Sequence, residues 1–398
     1  MFALESNNRE GAQGSRHFPN NCAILGRRSH RVRVLFRFAI IAILILSGIL
    51  PATARKKPRT QTPNKANIEA AARLQIFLDR ANFSPGKLDG TYNEFTWKAL
   101  ALYRQSRGEQ PQVPPQQGKI KSNVTPDVTG LDLDSIGPVL VPYTVTDADL
   151  ASVGPLPSSV AAQAKLKFLP YRDAADAIAE KFHSDVHLLE RLNPSKMKTI
   201  KPGDQLMVPN VGAFDLASVK GIKPGSERSE RNAQPVNDVE YQPEAQSENA
   251  DENRQMKKDE AASAPIVIKI DSKTNMLGVF QGEKLIAAYP VTIGSAHTAS
   301  PVGEWKVSRI TKMPTFRYDK EMLQHGRRSG NFHLLPPGPR NPVGVMWIAL
   351  NKKGIGIHGT NDPSSIGRAA SHGCIRLANW DVVRLATKIK PGDNVSIH

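Results

Sequence analysis

Between Ser226 and Glu260 the chain carries ten Asp or Glu and five Lys or Arg, with Asn, Gln, Ser and Pro filling most of the rest. A stretch this poor in apolar side chains cannot bury enough surface to offset the entropy of ordering it. No single hydrophobic core can run through residues 212–263, which therefore read as a flexible linker. The 398 residues must be shared among separate modules on either side, two to three by length.

The pattern changes abruptly after residue 264. Ile266-Val267-Ile268-Lys269-Ile270 is β-branched, and strand candidates follow at Asn275–Phe280, Leu285–Ile293, Gly303–Ile310, Val343–Leu350, Gly354–Ile357 and Asn394–Ile397. One segment, Trp380–Ile389, has helical spacing (Val382, Val383, Leu385, Ala386, Ile389). The spacing predicts a mainly β domain over 264–398 with one small helix. Met313–Leu335 shows few strand signals and reads as a long loop of the kind that overhangs a site; Tyr318 and His333 are its candidates for touching a substrate.

Within this domain two histidines and a cysteine fall close together, in Ile357-His358-Gly359-Thr360 and Ser371-His372-Gly373-Cys374-Ile375-Arg376-Leu377. A thiol attacks carbonyls only as thiolate, and an adjacent imidazole can take its proton. His358 stands at the end of an apolar run that reads as a buried strand, which favours it as the base that meets Cys374 across space. His372 would then be a local orienting residue. Gly373 suggests a turn, and the backbone N–H groups of Gly373 and Cys374 suit an oxyanion hole. Two plainer readings compete: Cys374 as a small buried hydrophobe, and a metal site of His358, His372 and Cys374. The surrounding His and Gly residues have no packing value, and neither a second nearby Cys nor an H-E-x-x-H spacing supports a metal.

This pair of segments resembles the signature of the L,D-transpeptidases, also called the YkuD or ErfK/YbiS family. Tyr289-Pro290-Val291-Thr292-Ile293-Gly294, Ser300-Pro301-Val302-Gly303-Glu304-Trp305 and Gly338-Pro339-Arg340-Asn341-Pro342-Val343-Gly344 extend the likeness across 264–398. The resemblance implies a β-sandwich-like sheet with a small helix. It implies Cys374 as nucleophile, His358 as general base and the Gly359 carbonyl as the group orienting it. Ser371, His372 and Gly373 complete the motif, with Gly373 near the oxyanion hole, and Arg376 falls close to substrate. No metal or organic cofactor is implied.

The upstream half holds smaller patterns. Residues 1–37 carry seven arginines and two glutamates, and Phe38–Leu50 is an apolar run of thirteen. As a helix it reaches about 20 Å, short of the roughly 30 Å hydrocarbon core. Ala52-Thr53-Ala54 fits the small-x-small rule, so residues 1–54 read as a secretory signal peptide, with an uncleaved membrane anchor as the alternative. Removal of that segment takes Cys22 with it and leaves Cys374 as the sole thiol of the two in the sequence. In 66–106, helical spacing over Ile68–Ala81 and Phe95–Tyr103 flanks Pro85-Gly86-Lys87-Leu88-Asp89-Gly90, and the whole resembles a peptidoglycan-binding domain. Residues 107–165 are unassigned, apart from a strand candidate at Val139–Thr146. In 166–211, a strand at Leu166–Tyr171, two helices and a turn–strand closing on Lys201-Pro202-Gly203-Asp204-Gln205-Leu206-Met207-Val208-Pro209 resemble a LysM module, with Arg172-Asp173 where Gly-Asp is usual.

The sequence and these resemblances thus imply a multidomain protein: a mainly β catalytic domain preceded by small α and α+β wall-binding modules. The formal charge of +16 suits either an anionic partner or solubility alone. Aromatics at 6% and the absence of any nucleic-acid motif disfavour nucleic acid. What the resemblance implies is peptidoglycan, both its stem peptides and its glycan chains, with carbapenem-type inhibitors as covalent ligands. The expected location is the periplasm or cell wall, with the membrane touched only through the N-terminal segment. The implied reaction is a 3–3 cross-link made through a Cys thioester. The same acyl-enzyme could instead pass its acyl group to water, as an L,D-carboxypeptidase, or to a lipoprotein lysine. A non-catalytic wall-binding scaffold is the alternative from another class.

Overall fold

The computed structural model describes residues 65–110, 124–227, 264–294, 300–367 and 373–398. They fall within one compact unit, Gln61–His398. The expected signal segment 1–54 lies outside the described residues.

Two helices open the unit, α1 (Lys65–Arg80) and α2 (Glu94–Ser106). Asn93 caps α2 by accepting from Thr96 N at 2.9 Å, satisfying one of the orphan donors of a helix start. The loop between them is tied from inside by buried Gln75. Its Nε2 donates to Asp89 Oδ1 at 2.9 Å and Thr96 Oγ1 at 3.1 Å, and its Oε1 accepts from Gly90 N at 3.0 Å.

The next module corrects the sequence reading. Its first strand is β1 (Leu140–Thr144), and Leu166–Tyr171 is no strand. Short helices α3 (Asp147–Leu150) and α4 (Val160–Gln163) follow, then α5 (Ala174–Lys181) and α6 (Val186–Leu192), then β2 (Gln205–Pro209). β1 and β2 pair antiparallel from Leu140↔Pro209 to Thr144↔Gln205. The segment from 145 to 172 is thus an insertion within a strand–helix–helix–strand module that starts upstream of 166. Leu169 and Tyr171 are apolar because they are buried against the C-terminal domain. There Leu169 N donates to Pro337 O at 2.9 Å, and its carbonyl accepts from Arg340 N at 3.4 Å.

The expected linker also begins too early at 212. Phe214 and Val219 join the C-terminal core, and Lys312 Nζ donates to the carbonyls of Lys220 and Ile222. Leu216 and Ile222 pack against the same core, so a few apolar side chains in a polar stretch dock the segment. The remainder of the expected linker, from 228 on, lies outside the described residues.

The C-terminal domain contains β3 (Ile266–Asp271), β4 (Met276–Gln281), β5 (Lys284–Pro290) and β6 (Gly303–Lys312). A side excursion holds β7 (Phe316–Tyr318), α7 (Lys320–His325) and β8 (His333–Leu335). Then come β9 (Met346–Leu350), β10 (Gly356–His358), β11 (Ile375–Arg376), α8 (Asn379–Lys388) and β12 (Asn394–Ile397). Eight strands form one sheet in the order β11-β10-β9-β6-β12-β3-β4-β5. The mainly β domain with one small helix is as expected, and its sheet is continuous because the ten-residue β6 serves both halves. Its first residues pair with β12 and its later ones with β9, with an irregularity at Val307/Arg309 that permits the bend. One core joins both halves to Trp380, Val382, Leu385 and Ala386 of α8.

The helical module does not hang from a tether. β5 is an edge strand, and its Ala288 exchanges hydrogen bonds with Asn82 O (2.9 Å) and Ser84 N (2.8 Å). This covers an otherwise unpaired edge. Met276, Leu285 and Ala288 belong to the same buried cluster as Leu74, Leu78 and Leu100 of the helices.

Candidate active site

β10 and β11 run parallel, with Ile357 opposite Ile375 and His358 opposite Arg376. Cys374 immediately precedes β11, two residues before Arg376. Side-chain alternation along a strand has period two, so Arg376 and His358 share one face of the pair, with Cys374 at the entry to β11. The alternation also explains the neighbours: Ile357 and Ile375 point the other way and are fully buried in the core. Thr292 stitches the free side of β11, exchanging hydrogen bonds with Arg376 at 2.9 Å each way. Its hydroxyl donates to Ser365 O at 2.7 Å and accepts from Gly367 N at 3.1 Å.

His358 is buried, at 4% exposure. Its Nδ1 lies 2.6 Å from Gly359 O. A carbonyl only accepts, so Nδ1 carries the proton and Nε2 presents a lone pair. Trp347, opposite His358 across β9–β10, stacks on the imidazole with centroids 5.2 Å apart and planes 16° apart. Burial lowers the imidazole pKa to about 4, helped by the Arg376 charge and opposed by the Gly359 bond.

Cys374 is partly exposed, and its Sγ donates to Gly354 O at 3.6 Å. Burial pushes the thiol up, against the opposing effects of a Gly356 backbone hydrogen bond and the Arg376 charge. At neutral pH the thiol and the imidazole are therefore both uncharged. Gly373 has φ +98°, a region that favours glycine.

Residues 265–397 match the YkuD family model, the L,D-transpeptidase catalytic domain. The chain is 35% identical over 138 residues to the putative L,D-transpeptidase YqjB of Bacillus subtilis, covering 33% of this chain and 70% of that protein. This chain belongs to the L,D-transpeptidase family. It is also 33% identical over 132 residues to the putative L,D-transpeptidase YkuD of Bacillus licheniformis, covering 33% of this chain and 64% of the relative. With the Bacillus subtilis YkuD protein the share is 65%, so the chain spans just under two thirds of these two relatives. Among solved structures, L,D-transpeptidase 3 of Mycobacterium tuberculosis with a faropenem-derived adduct is 16% identical, with a TM-score of 0.29 over 34% of this chain and 60% of that one.

Of the residues that the L,D-transpeptidase signature singles out, the structure sets Arg376 opposite His358 and the Gly359 carbonyl against the His358 ring, with Gly373 and Cys374 just ahead of β11. Ser371 and His372 lie outside the described residues. Tyr318 and His333 are partners in the β7–β8 register, in a separate two-stranded sheet. The expected loop around them is instead a strand–helix–strand excursion, held by Asp319, which accepts from Ser329 N and Oγ at 2.8 Å each. Its strands escaped notice because each is only three residues long.

Two contributors were missed. Trp347 was visible only as an aromatic in a strand. Asn379 follows the motif directly and looks like a helix cap, yet Ala378 occupies the cap position and no side-chain bond is made there. The fully buried Asn379 side chain lies sideways instead, its Oδ1 accepting from Val345 N at 3.2 Å. A Cβ built on Gly359 would stand 2.2 Å from that oxygen, and one on Gly344 2.1 Å. Both glycines are there because the amide passes so close to the backbone.

Proposed function

We propose that the protein is a cysteine acyltransferase that cross-links peptidoglycan stem peptides as an L,D-transpeptidase. What supports this reading is Cys374 at the entry to β11, the strand paired with the one that carries His358, together with the imidazole held by Gly359 O in the tautomer that leaves Nε2 basic. In the first half-reaction Nε2 takes the thiol proton and Sγ attacks the carbonyl of the third stem residue, an L-centre. Backbone N–H groups at Gly373 and Cys374 receive the developing oxyanion. The imidazolium returns its proton to the departing amine of the terminal D-alanine, leaving a thioester on Cys374. A side-chain amine of a second stem peptide then attacks the thioester and restores the thiol, giving a 3–3 linkage. Arg376, on the same face, suits the anionic groups of the donor peptide. Tyr318 and His333 are proposed to approach substrate from the excursion, and Ser371 and His372 to shape the loop before the thiol.

The segments upstream serve, in this reading, to hold the enzyme on the polymer, the helical pair and the strand–helix–helix–strand module each contacting wall glycan. The excess of eighteen Lys or Arg over eight Asp or Glu in 264–398 suits an anionic wall. The basic, apolar N-terminal stretch supports export to the periplasm.

Intact-mass measurement after incubation with a carbapenem tests the acyl-enzyme. Wild type gains one covalent adduct and Cys374→Ala gains none; equal adducts on both would remove Cys374 as nucleophile. Mass analysis of muropeptides then identifies the acceptor. Cross-linked dimers support the transpeptidase reading, and tripeptides alone show that water takes the acyl group.

A further inference from the structure

We infer that Glu180, which α5 contributes from the strand–helix–helix–strand module, is a positioning residue for the His358 base, acting through Asn379. The inference rests on the acyl-transfer reading above, and the contacts that carry it are all within the folded unit.

Glu180 is 3% exposed and faces the C-terminal domain. Its Oε1 accepts from Asn379 Nδ2 at 2.5 Å, and Arg340 Nη1 lies 3.0 Å from its Oε2. Arg340 also grips Asp176 of the same helix, through Nε at 2.8 Å and Nη2 at 2.6 Å, and lies over the Tyr171 ring at 4.9 Å. A buried carboxylate is costly unless it is paired and hydrogen-bonded. Here a guanidinium and an amide hold it, and the amide belongs to the site.

The orientation of the Asn379 amide follows from that bond, which is the shorter of two that Nδ2 donates, the other reaching Pro339 O at 3.3 Å. Burial raises the Glu180 carboxyl, but the Arg340 guanidinium opposes that rise and favours the carboxylate, which only accepts, so Asn379 presents Nδ2 to it. Oδ1 must therefore face the opposite way, towards Val345 N, Gly344 and Gly359. Rotating the amide by half a turn would set oxygen against carboxylate and NH2 against the Val345 N–H. Gly359 then sits against a fixed surface, and its carbonyl is the acceptor that sets the His358 tautomer. The line Glu180–Asn379–Gly359–His358 thus runs from one module into the catalytic base. Asp176 shares the helix and the Arg340 contact but has no bond to Asn379, which makes it the control.

The test uses the full chain with Glu180→Ala, Glu180→Gln and Asp176→Ala. Maximal carbapenem acylation rate and half-saturating concentration are read by intact mass, and the His358 Nδ1 proton by its NMR signal. Glu180→Ala should slow maximal acylation about tenfold with half-saturation unchanged, and lose the slowly exchanging Nδ1 proton. Glu180→Gln keeps an acceptor and should restore both, and Asp176→Ala should keep the Nδ1 proton. Combining Glu180→Ala with Asn379→Ala should slow the enzyme no further than either alone. Full rate and an intact Nδ1 signal in Glu180→Ala would overturn the inference, as would additive losses in the double variant. Should Glu180→Ala not fold, Glu180→Asp replaces it: the shorter side chain falls short of Asn379, and a wild-type rate and Nδ1 signal there would be equally fatal. Absence of acylation in wild type would instead sink the acyl-transfer reading, while the Nδ1 signal would still report on the Glu180 line.

Discussion

Arg384 on α8 holds Asp79 on α1 with both terminal guanidinium nitrogens, Nη1 and Nη2, each 2.9 Å from a carboxylate oxygen. Burial alone would raise the Asp79 carboxyl, but Arg384 and His183, whose Nδ1 lies 3.1 Å from Oδ2, hold it well below the usual range. The His183 ring in turn stacks on Trp380 at 5.2 Å. Arg384→Ala leaves a buried carboxylate without its counter-charge and should cost about 3–5 kcal/mol, read as a lower urea midpoint. Arg384→Lys should recover only part of it, lacking the two-pronged geometry. A loss below about 1 kcal/mol, the range of exposed pairs, would show that this contact does not secure the junction.

Asp381 sits beside that pair and behaves oppositely. Burial raises its pKa to about 8, with Asp79 adding to the rise and Arg384 opposing it. The unfolded chain loses this proton near pH 4, whereas the folded protein keeps it to about pH 8. Stability from this group is thus fully present at low pH and is lost as pH rises from 4 to 8. Asp381→Asn can still accept from the Ser84 hydroxyl, which stands 2.9 Å away. It should equal wild type near pH 4 and exceed it by on the order of a few kcal/mol at pH 8, measured by denaturation across that range.

His358 gives an acid-side dependence. Its folded pKa of about 4 lies below the unfolded value near 6.5. Stability from the neutral imidazole is therefore intact above pH 6.5 and lost as pH falls towards 4, by about 3 kcal/mol in all. Acylation of Cys374 should stay level as pH drops through 6 and fall only near 4, where the base takes up its proton. An acid limb centred at 6.5 would contradict the buried, neutral imidazole.

Gly367 meets Phe95 of α2 so closely that a Cβ there would stand 2.2 Å from the ring. Gly367→Ala should destabilise by about 1–3 kcal/mol, combining overpacking with backbone strain at φ +87°. Phe95→Ala, which opens that space, should relieve part of the defect in the double variant. Calorimetric midpoints of the four proteins check this, and strictly additive losses would argue against direct contact.

The catalytic half was legible because its signals are local. β-branched runs, one amphipathic helix and the spacing from His358 to Cys374 are all readable over a few residues, and the strands formed within a few residues of their expected places. The docking was not legible. It depends on single side chains far apart in sequence, such as Asp79 with Arg384 and Glu180 with Asn379, and neither carries a pattern. An acidic, apolar-poor stretch suggested separation, because composition reports whether a segment can fold and says nothing of what packs on either side of it. Leu166–Tyr171 misled for a related reason: its apolar residues are buried by a neighbouring domain, and the strand that pairs with Gln205–Pro209 lay beyond a 28-residue insertion (145–172).

The shared cluster of Met276, Leu285 and Ala288 with the α1 and α2 side chains bears on how the protein can be dissected. A gene trimmed at residue 264 would encode a polypeptide whose outermost strand has lost its neighbour, leaving Leu285 and Ala288 on that strand and Met276 on the next one facing water. Such fragments tend to associate edge to edge, and this one would also lack Glu180. Kinetics measured on it would describe a differently bounded molecule, and the shortest piece that preserves the native surroundings of the thiol begins at the first helix.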